Sequence, residues 1–238
     1  MKHNLKYGLV FILIITGLVA ACAPAQTPTA VPDIVQVPTT TASTATAAPG
    51  AAATPPTSGI KFMLVPAKST AGYTVREQLA KLNVPSDAVG TTNSISGSII
   101  LLPDGTIDSA NSKFTVDLST LKTDQTMRDN FVRRAVLHTD QYPQAVFVPT
   151  QVTGLPATLP QSGEVAFKVT GDLTIQNVTK PITWDVSGTI NNGVATGKAT
   201  TSLTFEDFNL VQPHISVVLS IVDKIDLTVT GDLQRAGN

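Results

Sequence analysis

The sequence predicts an all-β fold, a single closed antiparallel barrel of eight strands with one short α-helix near a barrel mouth. Three features carry the prediction: long runs of period-2 alternation, short glycine-bearing connectors, and glycines at inward positions of the longest strands. On 164–175 the apolar parity is Val165, Phe167, Val169, Gly171, Leu173 and Ile175, against Glu164, Lys168, Thr170, Asp172 and Thr174. On 181–190 it is Ile182, Trp184, Val186 and Ile190, and on 224–233 Ile225, Leu227, Val229 and Leu233. Shorter runs follow around Phe114-Val116-Leu118 and Ile95-Ile99-Leu101, with further strands near 60–65, 69–76, 145–152 and 194–205. Strands with one wet and one dry face pair antiparallel and exclude a buried parallel sheet.

The connectors agree. Pro103-Asp104-Gly105 and Asn191-Asn192-Gly193 each put a glycine where a tight hairpin needs positive φ. Two segments read as helical. One is a short turn from Arg76 to Leu82. The other runs from about Thr123 to Val136 with Met127, Phe131 and Ala135 on one face. Asp124–Arg128 and Asp129–Arg133 stand on it as acid-before-base pairs, each worth a few tenths of a kcal/mol.

A sandwich and a barrel both satisfy this alternation, and the glycines favour the barrel. Gly97, Gly171, Gly188 and Gly231 fall on dry-face parity, where a sandwich core would want bulk. Interior strand glycines mark sharp coiling or the close approach of something else. On 194–205 the inner set runs Ala195, Gly197, Ala199 and Thr201 before Leu203 and Phe205, which leaves room inside. Bulky neighbours such as Trp184 could equally fill it. An eight-stranded barrel is just wide enough for packed side chains or one small ligand, and the pattern alone leaves both open.

Residues 1–21 stand apart from the fold. Lys2 and Lys6 precede an uncharged apolar run, and Ala20-Ala21 stand before Cys22, as in an export signal. The run Tyr7 to Ala23 is slightly short for a span of about 20 residues, though an uncleaved anchor is the alternative. Leu18-Val19-Ala20-Ala21-Cys22 resembles the bacterial lipoprotein signal, with Val19 where leucine is commoner. That resemblance implies lipidation of Cys22, the sole cysteine of the chain, and hence a membrane-anchored, extracytoplasmic lipoprotein of the cell envelope. Residues 22–59 are rich in Ala, Thr and Pro with one charge, Asp33, and read as a disordered tether. The domain expected is 60–238.

A lone cysteine excludes an internal disulfide framework. Loss of residues 1–21 takes two lysines and no acid, leaving 14 basic against 17 acidic residues. So balanced a charge does not point to nucleic acid as a partner.

Thr170-Gly171-Asp172-Leu173-Thr174-Ile175 followed by Val178-Thr179-Lys180-Pro181-Ile182-Thr183 closely resembles the most characteristic stretch of the YceI-like family. Phe62 to Ser69, Met127-Arg128-Asp129 through Arg133, Tyr142-Pro143, Asp207-Phe208 and Val222-Asp223-Lys224-Ile225 are similar to it in family order. The resemblance implies a lipocalin-like barrel that holds an isoprenoid or other lipid-like small molecule and uses no cofactor. The expected wall of the tunnel is Phe114, Phe147, Phe167, Ile182 and Trp184 with Gly197, Ala199 and Leu203. The helix residues Met127 and Phe131 would cover one mouth. Three positions depart from the family: Lys68 in Val65-Pro66-Ala67-Lys68-Ser69, Phe131, and Gln176-Asn177 stand where it often carries histidine. Head-group contacts of those histidines do not transfer.

Catalytic signals are sparse. His138 and His214 lack a second ligand at metal spacing, so no metal is expected. His138 near Asp140 reads as a loop residue, and Asp207 with Asp223 as turn and strand-end residues. A non-enzymatic carrier or sequestering protein for a polyisoprenoid, quinone or fatty-acid-like molecule is expected. A ligand-free envelope module acting through its outer surface is the alternative, and an enzyme on a lipid head group a distant third.

Overall fold

The computed structural model describes residues 59–156 and 158–237. Its strands are β1 (Ile60–Leu64), β2 (Thr70–Leu79), β3 (Ser86–Thr92), β4 (Ile95–Leu101), β5 (Lys113–Asp117), β6 (Gln144–Thr153), β7 (Ser162–Ile175), β8 (Val178–Asn191), β9 (Val194–Leu203) and β10 (Val218–Arg235). All pairings are antiparallel, in the order β1-β4-β5-β6-β7-β8-β9-β10-β2-β3, and β1 also pairs β10. The ten segments make eight staves. β1 and β2 lie end to end along one side of β10, at Leu233–Arg235 and Val218–Thr230 respectively. β3 and β4 pair β2 and β1 in the same way. The result is a closed eight-stranded barrel without a free edge.

The break in the first stave has a local cause. Pro66 opens a 3-10 turn, Pro66–Lys68, and the Ser69 hydroxyl donates back to the Val65 carbonyl at 2.8 Å. The turn folds onto β10 opposite Gly231, where any Cβ would stand 2.1 Å from Ser69 Oγ. Glycine is the residue that lets the turn seat there. β10 itself bulges: Ile221 faces Glu77 and Ile225 faces Val75, so residues 222–224 stand opposite Arg76 alone, two residues more than regular pairing needs.

Coiling is densest between β8 and β9. Gly188 and Gly197 are cross-strand partners; a Cβ on Gly188 would meet Thr196 O at 2.3 Å, and one on Gly197 would meet Ser187 O at 2.7 Å. These glycines serve the approach of neighbouring backbones, not space for a ligand. Asn192 and Gly193, both at positive φ, turn the β8–β9 hairpin as predicted.

Two helical expectations are corrected. Residues 76–79 continue β2, because the alternation Ala71, Tyr73, Val75, Glu77, Leu79 is unbroken and pairing with β10 and β3 outweighs local helix propensity. The predicted helix over 123–136 begins only at Thr126, as α1 (Thr126–Phe131), and passes into a π-helical turn at Val132–Val136, closed by Leu137 N–H on Val132 O at 2.8 Å. The residue gained in the π turn shifts the apolar face, so Val136 and Leu137 are buried in place of the predicted Ala135. Asp129 is buried and accepts from Thr123 N and Oγ1, both at 2.7 Å. It therefore does not pair with Arg133, which donates to Asn130 Oδ1 and to the Ser119 and Leu121 carbonyls.

Connections 80–85, 118–143, 176–177 and 204–217 share the upper end of the barrel; 102–112, 154–161 and 192–193 share the lower. The larger core cluster lies under the upper connections, around Leu118, Leu121, Leu173, Leu203, Phe205, Ile225 and the fully buried Phe208. A smaller one, Leu64, Ala71 and Ile95, lies lower, near the β1–β2 break. The export-type segment, Cys22 and all of the tether but Gly59 fall outside the described residues.

Candidate ligand cavity

The inward parity of every stave faces one internal cavity of about 1030 Å³. β7 contributes Val165, Phe167, Val169, Leu173 and Ile175; β8 contributes Trp184, Val186 and Ile190; β10 contributes Ile225, Leu227, Val229 and Leu233. The opposite parity carries outer-face pairs such as Lys168–Asp185 and Thr170–Thr183. One register thus sorts both faces. The cavity runs between the ends, from Leu155 and Leu159 below to Met127, Pro213, Ile215 and Val217 above.

Phe114, Met127, Phe131, Phe147, Phe167, Trp184, Ala199 and Leu203 line it. Ile182 and Gly197 do not. Ile182 packs against the core cluster, and Gly197 is in backbone contact with Gly188. Phe147 and Trp184 meet edge to face, with centroids 6.0 Å apart and planes at 69°. The Trp184 indole N–H is buried without a hydrogen-bond acceptor.

The titratable groups of the wall, among the described residues, are Tyr73, Glu77, Lys81 and Arg128, all from β2, the residues just beyond it and α1. Glu77 is almost fully buried and accepts from Arg128 Nη2 at 2.6 Å, while Arg128 Nη1 reaches Asp124 at 2.5 Å. Burial pushes the Tyr73 phenol up to about 12, against the pull of the Arg128 charge. The sequence signal for Glu77 was present in the β2 alternation, which the helical reading of 76–82 obscured.

The remaining polar candidates have structural work. Asp207 accepts from Thr204 N–H at 2.8 Å and Asp223 from Phe205 N–H at 2.8 Å, so both fasten the turn that seats Phe208. The backbone hydrogen bond from Thr204, with its hydroxyl and Lys180 adding, holds the Asp207 carboxyl below the usual carboxylate range. Tyr142 accepts from Asn177 Nδ2 at 3.0 Å, and the Pro143 carbonyl accepts from Leu118 N–H. His138 sits at positive φ in a loop. No group of three or more His, Cys, Asp or Glu that could hold a metal occurs among the described residues. What the cavity offers is apolar surface with a charged pair at its upper end.

The family model of the YceI-like domain matches residues 62–233, all eight staves and the cavity they enclose. The chain belongs to the YceI-like family. Two curated relatives, UPF0312 proteins of Pseudomonas putida strains W619 and GB-1, are each 35% identical over 135 residues. Those alignments cover 52% of this chain and 64% of each relative, so the chain spans less than two thirds of their length. Among solved structures the barrel is similar to a polyisoprenoid-binding domain from Saccharophagus degradans implicated in plant cell wall breakdown. That likeness has a TM-score of 0.58 at 13% identity and covers 75% of this chain and 99% of that one. It is also similar to Burkholderia cenocepacia BcnA, with a TM-score of 0.51 at 20% identity over 71% of this chain and 98% of the other. Both relationships are of fold. The aligned barrel makes up nearly the whole of each of those chains, and here every strand of the described residues finds its partners within 60–235.

Proposed function

We propose that this YceI-like barrel carries or sequesters an apolar amphiphile, a polyisoprenoid, quinone or fatty-acid-like molecule, without transforming it. The observation that carries the reading is the cavity. At about 1030 Å³ it stands at the top of the roughly 300–1,000 Å³ range of ordinary small-molecule sites. Its wall is almost wholly aliphatic and aromatic, with the charged groups gathered at the upper end. An extended hydrocarbon chain is the occupant whose surface such a wall desolvates without stranding polar groups, at roughly 25 cal/mol per Å² of apolar area. The solved domain called polyisoprenoid-binding shares the fold, which supports the same class of ligand here. Tyr73, Glu77 and Arg128 supply hydrogen-bonding capacity at one end, where the head of an amphiphile would lie.

The decisive experiment is native mass spectrometry of residues 60–238 purified without detergent, followed by extraction of the bound molecule. A discrete apolar adduct that leaves on organic extraction is the expected result. A domain that stays free of adduct and does not take up fluorescent fatty-acid or isoprenoid analogues would overturn the carrier reading.

Cys22 is the proposed point of lipidation and envelope attachment, on the strength of the signal-like residues before it. No helix of the described residues is long and apolar enough to cross a membrane. Cys22→Ser should release the protein from membranes or leave it unprocessed. Unchanged retention with normal cleavage would refute the anchor.

A further inference from the structure

We infer that the upper end of the barrel is a membrane-docking rim that seats the cavity mouth on the surface of a phospholipid bilayer. Three separate chain segments meet there: the β2–β3 connection, α1, and the connection before β10. They bring together Leu82, Val84, Met127, Val211, Ile215 and Val217, each between 37% and 86% exposed. Adjacency is fixed by backbone pairing, since Ala80 N–H donates to Val217 O at 3.0 Å and Leu79 faces Val218. Arg128 ties α1 to Glu77 on the same stave. The lower connections carry no exposed large apolar residue among the described residues. A cluster of this kind on one end of a barrel is an interaction surface.

Two observations favour a bilayer over a protein partner. The first is charge. Residues 78–85 and 208–222, which form most of the rim, carry one formal charge between them, Lys81, and no carboxylate, while at α1 Arg128 is paired with Glu77 and Asp124, and Asp129 is buried. Nothing in those segments repels lipid phosphate, and the one ammonium attracts it while its stem stays among apolar groups. Two rims facing each other would instead bring two Lys81 ammonium groups together. The second is continuity: Met127, Ile215 and Val217 both line the cavity and stand exposed at its edge. The apolar wall therefore runs out to the surface at this end, so a rim seated among acyl chains joins the cavity to the membrane interior with no aqueous step. Docking stands on the rim's own chemistry; that continuity has a purpose only under the carrier reading.

The test is flotation of residues 60–238 with vesicles of phosphatidylcholine and phosphatidylglycerol in equal parts. Wild type should float with the vesicles. Val84→Asp with Val217→Asp should lower the partition coefficient about tenfold or more, since two valines lose their burial in lipid, with an unchanged thermal midpoint. Lys81→Glu should weaken binding to these vesicles more than to pure phosphatidylcholine. Met63→Asp, on the outer face of β1 away from the rim, should float as wild type does. Wild type that stays with free protein, a double variant that floats equally, or Met63→Asp falling as far would each overturn the docking rim. So would a wild-type dimer in sedimentation that is broken by the rim substitutions and does not float. Uptake of a fluorescent fatty-acid analogue in vesicle-free solution separates the two readings. Flotation without uptake retains the rim and removes the carrier; uptake without flotation does the reverse.

Discussion

Arg128 Nη2 lies 2.6 Å from Glu77 Oε1, and this contact fastens the short helix α1 to the inner face of β2 at the upper end of the barrel. Glu77 is almost fully buried, so its charge has little solvation apart from this guanidinium. Removing one partner of such a pair costs far more than the pair contributes, because the other charge is left in the wall. Arg128→Ala should therefore cost about 3 kcal/mol in urea melts. Adding Glu77→Gln should restore a large part of it, giving a non-additive double-mutant cycle. Hydrogen exchange over 126–137 should quicken in the single variant. Additive losses would mean that the two side chains do not depend on each other.

Ala199 faces the cavity between Val186 and Val229. In a filled core, Ala199→Phe would be overpacking and cost about 1–3 kcal/mol. In this cavity it should instead abolish uptake of an apolar probe while the thermal midpoint of the ligand-free domain moves little. The comparison needs ligand-free protein on both sides, since a bound ligand stabilises wild type by mass action.

Gly188→Ala should be costly although the side chain added is one methyl group. The new Cβ would stand 2.3 Å from Thr196 O and 2.8 Å from Gly197 Cα, both backbone atoms that no rotamer can move aside. About 2 kcal/mol of stability should be lost in denaturant melts, with β8 and β9 parting at this level. For the same reason Gly197→Leu reports on strand packing rather than on cavity volume.

Tyr73 should give a late step in ultraviolet titration, near pH 12, that Tyr73→Phe removes. Burial is the main cause of the upward displacement. In the unfolded chain the phenol ionises near 10, so from pH 10 upward the unfolded state is stabilised first. Stability should fall as pH rises through that interval, and the fall should be shallower in Tyr73→Phe. Equal slopes would place the Tyr73 hydroxyl in contact with water.

The alternation of β7, β8 and β10 makes the antiparallel all-β class and the identity of the inner face legible in the sequence, because a strand with period 2 has only one register that buries Phe167, Trp184 and Leu227 together, while the choice of barrel over sandwich rests on the inward glycines. What escaped is where chain geometry overrides local pattern. Arg76 to Leu82 has helix-tolerant residues, but pairing on both sides holds 76–79 in β2. Ala135 sits at helical spacing from Phe131, but the π turn hands its place to Val136. Glycines at 188 and 197 sit at inner parity for the sake of strand contact, a distinction that needs the neighbouring strand to be placed. Glu77 was hidden for a related reason: its burial depends on Arg128, 51 residues away, and on a helix the sequence begins three residues too early.

The strand that completes the ring is the last to be made. β10 pairs with β9 on one side and with both β2 and β1 on the other, so until residues 218–235 are in place the sheet has two open edges and its apolar inner face is bare. A chain emerging from its N-terminus therefore waits as an unclosed curl, with β1 and β2 paired to β4 and β3 on one side and open on the other until β10 is made. Such late, long-range closure makes for slow folding and for a vulnerable interval before it. It also means that the enclosed space comes into being only when β10 is seated between β9 and the β1–β2 stave. Loss of Leu233–Arg235 would strip β1 of its β10 partner and open the lower part of that seam, while β2 stays paired to the rest of the strand.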